Sequence, residues 1–206
     1  LTFTTIYGKQ ISNGFDIIGL GDGERTIVQI VEQFSSSKPN YSKVERIAFK
    51  KDGKTIITSA PCRKATKFVT HAPYPAIDVF PLEVYQKLGI PHWGSPIPGT
   101  MFTGIQTVRG CQDKCTFCHI SLEKQEKEMV GDIGFLKMFE KQRVSEDVSR
   151  AVKLGITKLY FVDDSPFFSK KRLTELAPYL EREGLTYSAS NGANLRFMVK
   201  KVNNRY

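Results

Sequence analysis

At 206 residues, with 40% hydrophobic and 25% charged residues, the chain has globular proportions and can bury one core, or one core and part of another. Its longest apolar stretches, Phe15 to Leu20 and Lys158 to Val162, fall far short of the roughly 20 residues that cross a bilayer, which points to a protein with no membrane partner. Thirty Lys and Arg against 21 Asp and Glu give a net charge of +9, but the basic residues are scattered, so nucleic acid is a partner that the pattern does not favour. The opening residues, LTFTTIYGKQ, have neither the make-up of a secretory signal nor an initiator Met, so a cytoplasmic fragment of a longer protein is expected.

In chain order, FDIIGL (15–20) reads as a strand, GDGE (21–24) as a turn, and Arg25 to Phe34 as a helix with Ile27, Ile30, Val31 and Phe34 on one face. Strand, glycine turn and helix together are an α/β signature, and SSSKPN (35–40) marks a boundary. VERIAFKKDGKTIIT (44–58) predicts a hairpin turning at Asp52-Gly53. From Pro61 to Pro98 recurrent prolines predict an ordered linker with one short helix near Leu82 to Leu88. GIQTVRG (104–110) is expected to be a strand leading into a cysteine loop, followed by a helix from Ser145 to Leu154 capped by Ser145 and Glu146. ITKLYFVDD (156–164) reads as a buried strand, Lys170 to Glu183 as a helix with Leu173, Leu176, Ala177 and Leu180 inward, and LTYSASN (185–191) as a third strand. Strands alternating with helices predict a parallel sheet, whose C-terminal ends would gather the cysteine loop, Asp163 and Asp164, and Ser190 and Asn191.

Three of the four cysteines fall within eight positions, which suits metal or redox chemistry in a reducing compartment rather than a disulfide framework. Cys111, Cys115 and Cys118 are separated by three and then two residues, and Gly110 lets the chain turn sharply into the loop. Iron-sulfur clusters are usually held by four thiolates, so three leave one iron open for a ligand. The alternatives are a zinc site with His119 as fourth ligand, which stands too close to Cys118 for ordinary spacing, and plain buried thiols. Cys62, His71 and His92 have no partner at ligand spacing and read as structural, as does Arg109, while Gly21 and Gly23 make a weak phosphate-loop signal.

CxxxCxxC with an aromatic residue, Phe117, just before its last cysteine resembles the signature of the radical S-adenosylmethionine superfamily. FDIIGLGDGERTIVQIVE, VERIAFKKDGKTIIT, APYPAIDVFPLEVY, TVRGCQDKCTFCHI and YFVDDSPFFSKKRLTEL follow, in order, the pattern of the subgroup that carries a cobalamin-binding domain ahead of its barrel. The resemblance implies an α/β fold: residues 1–37 ending a Rossmann-like cobalamin-binding domain, 38–103 a hairpin and proline-rich linker, and 104–206 the N-terminal half of a (β/α) barrel of parallel strands. It implies a [4Fe-4S] cluster on Cys111, Cys115 and Cys118 that chelates S-adenosylmethionine at its open iron. On reduction by a donor such as flavodoxin or ferredoxin, the cofactor would yield a 5'-deoxyadenosyl radical, for hydrogen abstraction or cobalamin-assisted methyl transfer to an unknown substrate. Phe117, Asp163, Asp164, Ser190 and Asn191 would touch the bound cofactor. Asp164 has the simpler alternative of capping its turn, and Ser190 and Asn191 of forming a plain turn. The family's cobalt-ligating histidine loop would lie before residue 1, so cobalamin is expected only of a longer protein. The 122–142 stretch is longer than the family pattern. Competing readings are a methylthiotransferase acting on RNA or protein, for which Cys62 cannot supply the second cysteine set, and a non-catalytic module stabilised by zinc or a cluster.

Overall fold

The structure is a computed structural model, described over residues 14–58, 72–88, 100–125, 131–181 and 184–192. Cys62, His71, His92, Pro91, Pro96 and Pro98 lie outside the described residues. Among the described residues no helix is long and apolar enough to cross a membrane. The chain divides into two compact units, one of residues 1–65 with 113–135 and the other of residues 66–112 with 136–206, so the division falls inside the cysteine loop, after Gln112.

In the first unit, β1 (Ile17–Gly19), β2 (Ile47–Lys51) and β3 (Lys54–Ile57) form an antiparallel sheet in that order. The hairpin is set locally: Asp52 and Gly53 both have positive φ, +50° and +73°, the geometry of the two-residue turn whose twist matches paired strands. The structure differs from the expected separate hairpin in pairing β1 with β2, with Ile17 opposite Phe49 and Gly19 opposite Ile47. Val44, Ile47 and Phe49 are the buried centre, flanked by Ile17, Ile30, Tyr41 and Ile56. Helix α1 (Gly23–Phe34) has the predicted period, but only Ile30 of its apolar stripe joins this centre, and Ile27, Val31 and Phe34 are more than half exposed. Period alone does not bury a face, and little among the described residues covers this one. Gly21, at φ +95°, simply turns the chain into α1.

In the second unit, β4 (Phe102–Ile105), β7 (Lys158–Phe161) and β8 (Thr186–Ala189) form a parallel sheet in the order β4-β7-β8. The joining helices are α4 (Lys141–Lys153), between β4 and β7, and α5 (Lys170–Leu180), between β7 and β8. Val144, Val148 and Ala151 of α4 and Leu176 and Leu180 of α5 share a core with Leu159 and Phe161. This is the expected alternation as an open sheet; the described residues form no closed barrel. Leu173 and Ala177 of α5 are half-buried, lining an apolar groove with Phe161, Phe167, Leu180 and Tyr187. Leu159 is 1% exposed in mid-core, so Leu159→Ala should cost about 2–5 kcal/mol, read as a lower chemical-denaturation midpoint at unchanged slope.

Two differences from expectation have tertiary causes. Helix α4 begins at Lys141 rather than Ser145. Its first turn is held by tertiary contacts: Arg143 donates to the carbonyls of Ala72 and Pro73 at 2.6 and 2.7 Å, and its guanidinium lies 3.8 Å from the Tyr74 ring. The same contacts dock the described part of the proline segment, including the short helix α2 (Leu82–Leu88), which adds Leu82 to Ala72 and Ile77 against the core. GIQTVRG is two strands, not one. The chain leaves the parallel sheet after Ile105, and β5 (Val108–Arg109) pairs antiparallel with β6 (Lys137–Met138). That pairing accounts for part of the long 122–142 stretch, which returns to the lead of the cysteine loop; Phe139 N–H also donates to the Thr107 carbonyl at 2.9 Å.

Candidate metal centre

The C-terminal ends of β4, β7 and β8 run into Gln106-Thr107, Val162-Asp163-Asp164 and Ser190-Asn191. These ends meet as expected: Ser190 N–H donates to the Phe161 carbonyl at 3.0 Å, and Asn191 Nδ2 to the Asp163 carbonyl at 2.8 Å. The Asp163 side chain, at 0% exposure, faces its own chain rather than solvent. Its Oδ1 accepts the N–H groups of Thr107 and Val108 at 2.6 and 3.1 Å, and its Oδ2 the Thr107 hydroxyl at 2.6 Å. Burial pushes the Asp163 carboxyl up to about 6 against the pull of these hydrogen bonds, and neighbouring Asp164 adds to the rise. Asp164 is exposed, and its Oδ2 accepts the Gly110 N–H at 2.8 Å instead of closing its own turn. Ser190 is half-buried, and its buried hydroxyl has no hydrogen-bond partner among the described residues; Asn191 is exposed.

The loop itself begins at Gly110, whose φ of +70° lies in the left-handed region that favours glycine. Cys111 is half-buried, Cys115 exposed and Cys118 half-buried, and all three are thiols rather than disulfides. Cys118 N–H donates to the Cys115 carbonyl at 3.1 Å, closing a turn on which Phe117 stands 90% exposed. Cys118 then stands at the N-cap position of α3 (His119–Glu123) without a side-chain capping bond, and Lys124 Nζ donates to the Asp113 carbonyl at 2.7 Å. No three His, Cys, Asp or Glu side chains among the described residues are gathered closely enough to hold a metal ion. The donor set nevertheless fits a thiophilic metal or cluster in its chemistry, because three accessible soft sulfurs lie on one short loop.

Sequence reasoning missed the supporting residues. Thr107 lies inside the stretch expected as a strand, and Gln112, whose Nε2 donates to the Phe168 carbonyl at 3.2 Å, carries no signal of its own in the sequence. Arg172 read as part of a surface helix start, yet it is 5% exposed, donates through Nη2 to the Phe139 carbonyl, and lies within electrostatic reach of Asp163 and Glu175. Its Nε has no hydrogen-bond partner among the described residues, and burial lowers its pKa. Arg109 is structural: its Nε donates to Gln106 Oε1 at 3.2 Å and its guanidinium lies 5.6 Å from the Phe139 ring.

The class these observations define is a mixed α/β protein with a parallel sheet and a cysteine loop that follows its first parallel strand by way of the short antiparallel strand β5. The backbone is similar to that of the radical S-adenosylmethionine methyltransferase TsrM from Kitasatospora setae, with a TM-score of 0.54 at 14% identity, a likeness of fold. It covers 86% of this chain and 30% of TsrM solved with its tryptophan substrate and aza-SAM, or 31% of TsrM solved with cobalamin and a [4Fe-4S] cluster. In sequence the chain is 25% identical over 203 residues to an uncharacterized methyltransferase of Pyrococcus horikoshii; it spans 98% of its own length but 40% of that relative. No protein-family model matches the sequence.

Proposed function

We propose that this chain is part of a radical S-adenosylmethionine methyltransferase in which Cys111, Cys115 and Cys118 hold a [4Fe-4S] cluster. The observation that carries the reading is the CxxxCxxC loop, with Phe117 beside its last thiol, following the first parallel strand of a fold similar to that of TsrM. When bound, such a cluster supplies an electron to the sulfonium of S-adenosylmethionine, drawn from a flavodoxin- or ferredoxin-like donor. The chain's own residues bind and orient. Phe117 would offer its exposed ring to the cofactor and Asn191 its amide oxygen at the end of β8, while Ser190, whose hydroxyl is buried, would support that strand end. Asp163 has its carboxylate oxygens engaged by Thr107 and Val108, so its contribution is to hold the strand end, with its backbone carbonyl bound to Asn191. Cobalamin, and the substrate that receives the methyl group, belong to parts of a longer cytoplasmic protein.

Anaerobic reconstitution with iron and sulfide tests the reading. About four irons per chain are expected, with an electron paramagnetic resonance spectrum of the reduced protein that shifts on addition of S-adenosylmethionine. Tight zinc binding with no such shift would instead establish a structural metal module.

A further inference from the structure

The two neighbours of Cys111 are each tied to the turn that follows β7. On one side, Gly110 N–H donates to Asp164 Oδ2 at 2.8 Å; on the other, Gln112 Nε2 donates to the Phe168 carbonyl at 3.2 Å. One step further back, Thr107 and Val108 are held by Asp163. Consecutive residues at the end of a strand point to opposite sides, so Asp163 serves the buried strand end while Asp164 reaches the loop. Cys115 stands in a different setting. It is exposed, on a turn closed by the Cys118 N–H.

We propose that Asp164 is a positioning residue that, through Gly110, presets Cys111 for cluster assembly. The inference rests on the cluster reading of the loop. Its physical basis is the Gly110 N–H. At φ +70° the backbone turns out of the strand, and a charged acceptor on that N–H stabilises the turn more than a neutral one would. Asp164 is exposed, so its removal leaves no cavity and the fold should survive it.

The test is peptide-resolved alkylation of the whole chain, without metal, by iodoacetamide under native conditions. Losing one charge-assisted hydrogen bond should raise the locally open population at Cys111, and hence its alkylation rate, about tenfold in Asp164→Ala. Cys115 and Cys118 should stay within about twofold, the size of change expected where no bond is lost. Asp164→Asn keeps an oxygen for the Gly110 N–H and should return the Cys111 rate close to the starting value. Equal acceleration of all three thiols, no change at Cys111, or equal acceleration in Asp164→Asn and Asp164→Ala would each overturn the proposal, the last by showing a charge effect on the thiol. Reconstitution with iron and sulfide then tests the link to assembly: cluster absorbance should build several-fold more slowly in Asp164→Ala than in the unsubstituted chain, and equal rates would refute it. If the unsubstituted chain takes up no cluster, the functional reading fails, while the alkylation pattern still decides whether Asp164 holds Cys111.

Discussion

On the proposed cluster reading, alanine at any one of Cys111, Cys115 or Cys118 is expected to abolish cleavage of S-adenosylmethionine and to reduce iron uptake on reconstitution from about four per chain to below about one. Each removes one of only three close thiols, and no other Cys among the described residues can replace it. His119 directly follows Cys118 and begins α3, so it is not spaced to substitute. Since the thiols are half-buried or exposed, the substitutions should leave the fold intact, with far-UV circular dichroism and denaturation midpoint changed little. Iron, sulfide and product assays on the three variants check this. Retention of full iron and cleavage by Cys111→Ala would remove the cluster reading, whereas loss of the fold in all three would make the loop a structural element.

The second large effect is expected at Asp163. Asp163→Ala strips the acceptor from two backbone N–H groups and one hydroxyl in a fully buried place, and should destabilise the chain by about 3 kcal/mol or more. Asp163→Asn behaves differently. Its carbonyl oxygen can take both N–H groups, and the Thr107 hydroxyl can rotate to accept from the amide, so at neutral pH the variant should equal or exceed the parent in stability. The pH dependence follows from burial, which raises the native carboxyl to about 6, above the unfolded value of about 3.9. The native state therefore holds the proton more tightly. This stabilisation is fully present below about pH 4 and is lost as pH rises through about 6, on the order of 3 kcal/mol in all. Urea denaturation between pH 4 and 7.5 should show this decline in the parent and a flatter profile in Asp163→Asn; parallel profiles would show that Asp163 is ionised throughout.

The parts of the fold legible in sequence are those whose cause is local. Asp52-Gly53 specifies a turn through its own backbone preferences, and the hairpin stands as read. The run at 158–161 is a parallel strand in which Leu159, Tyr160 and Phe161 are buried in succession, as continuous apolar runs in parallel sheets are. Ser169 accepts the Arg172 N–H at 3.1 Å and caps α5, which starts at Lys170 as expected, whereas Ser145 and Glu146, expected as a cap, lie inside α4. Errors fall where a distant segment decides. The strand 104–110 breaks because β6 pairs with Val108 and Arg109, and α4 starts early because Arg143 is held by Ala72, Pro73 and Tyr74. Ile27, Val31 and Phe34 show the helical period of a buried face but not its burial.

For the candidate site the division is of the same kind. The spacing of Cys111, Cys115 and Cys118, and Phe117 beside the last of them, are properties of the chain itself, because ligand type and reach along one loop need no distant partner. Only the tertiary structure decided what the two aspartates do. An Asp-Asp pair after an apolar strand suits a ligand, a cap or a clamp equally well until the register of β4 against β7 is known. That register, with Ile105 opposite Phe161, carries Asp163 to Thr107 and Val108, and the left-handed turn at Gly110 brings its N–H to Asp164. The sequence alone thus supplied three soft ligands at close spacing, through residue type, and long-range strand pairing determined which residues bond the lead into the loop.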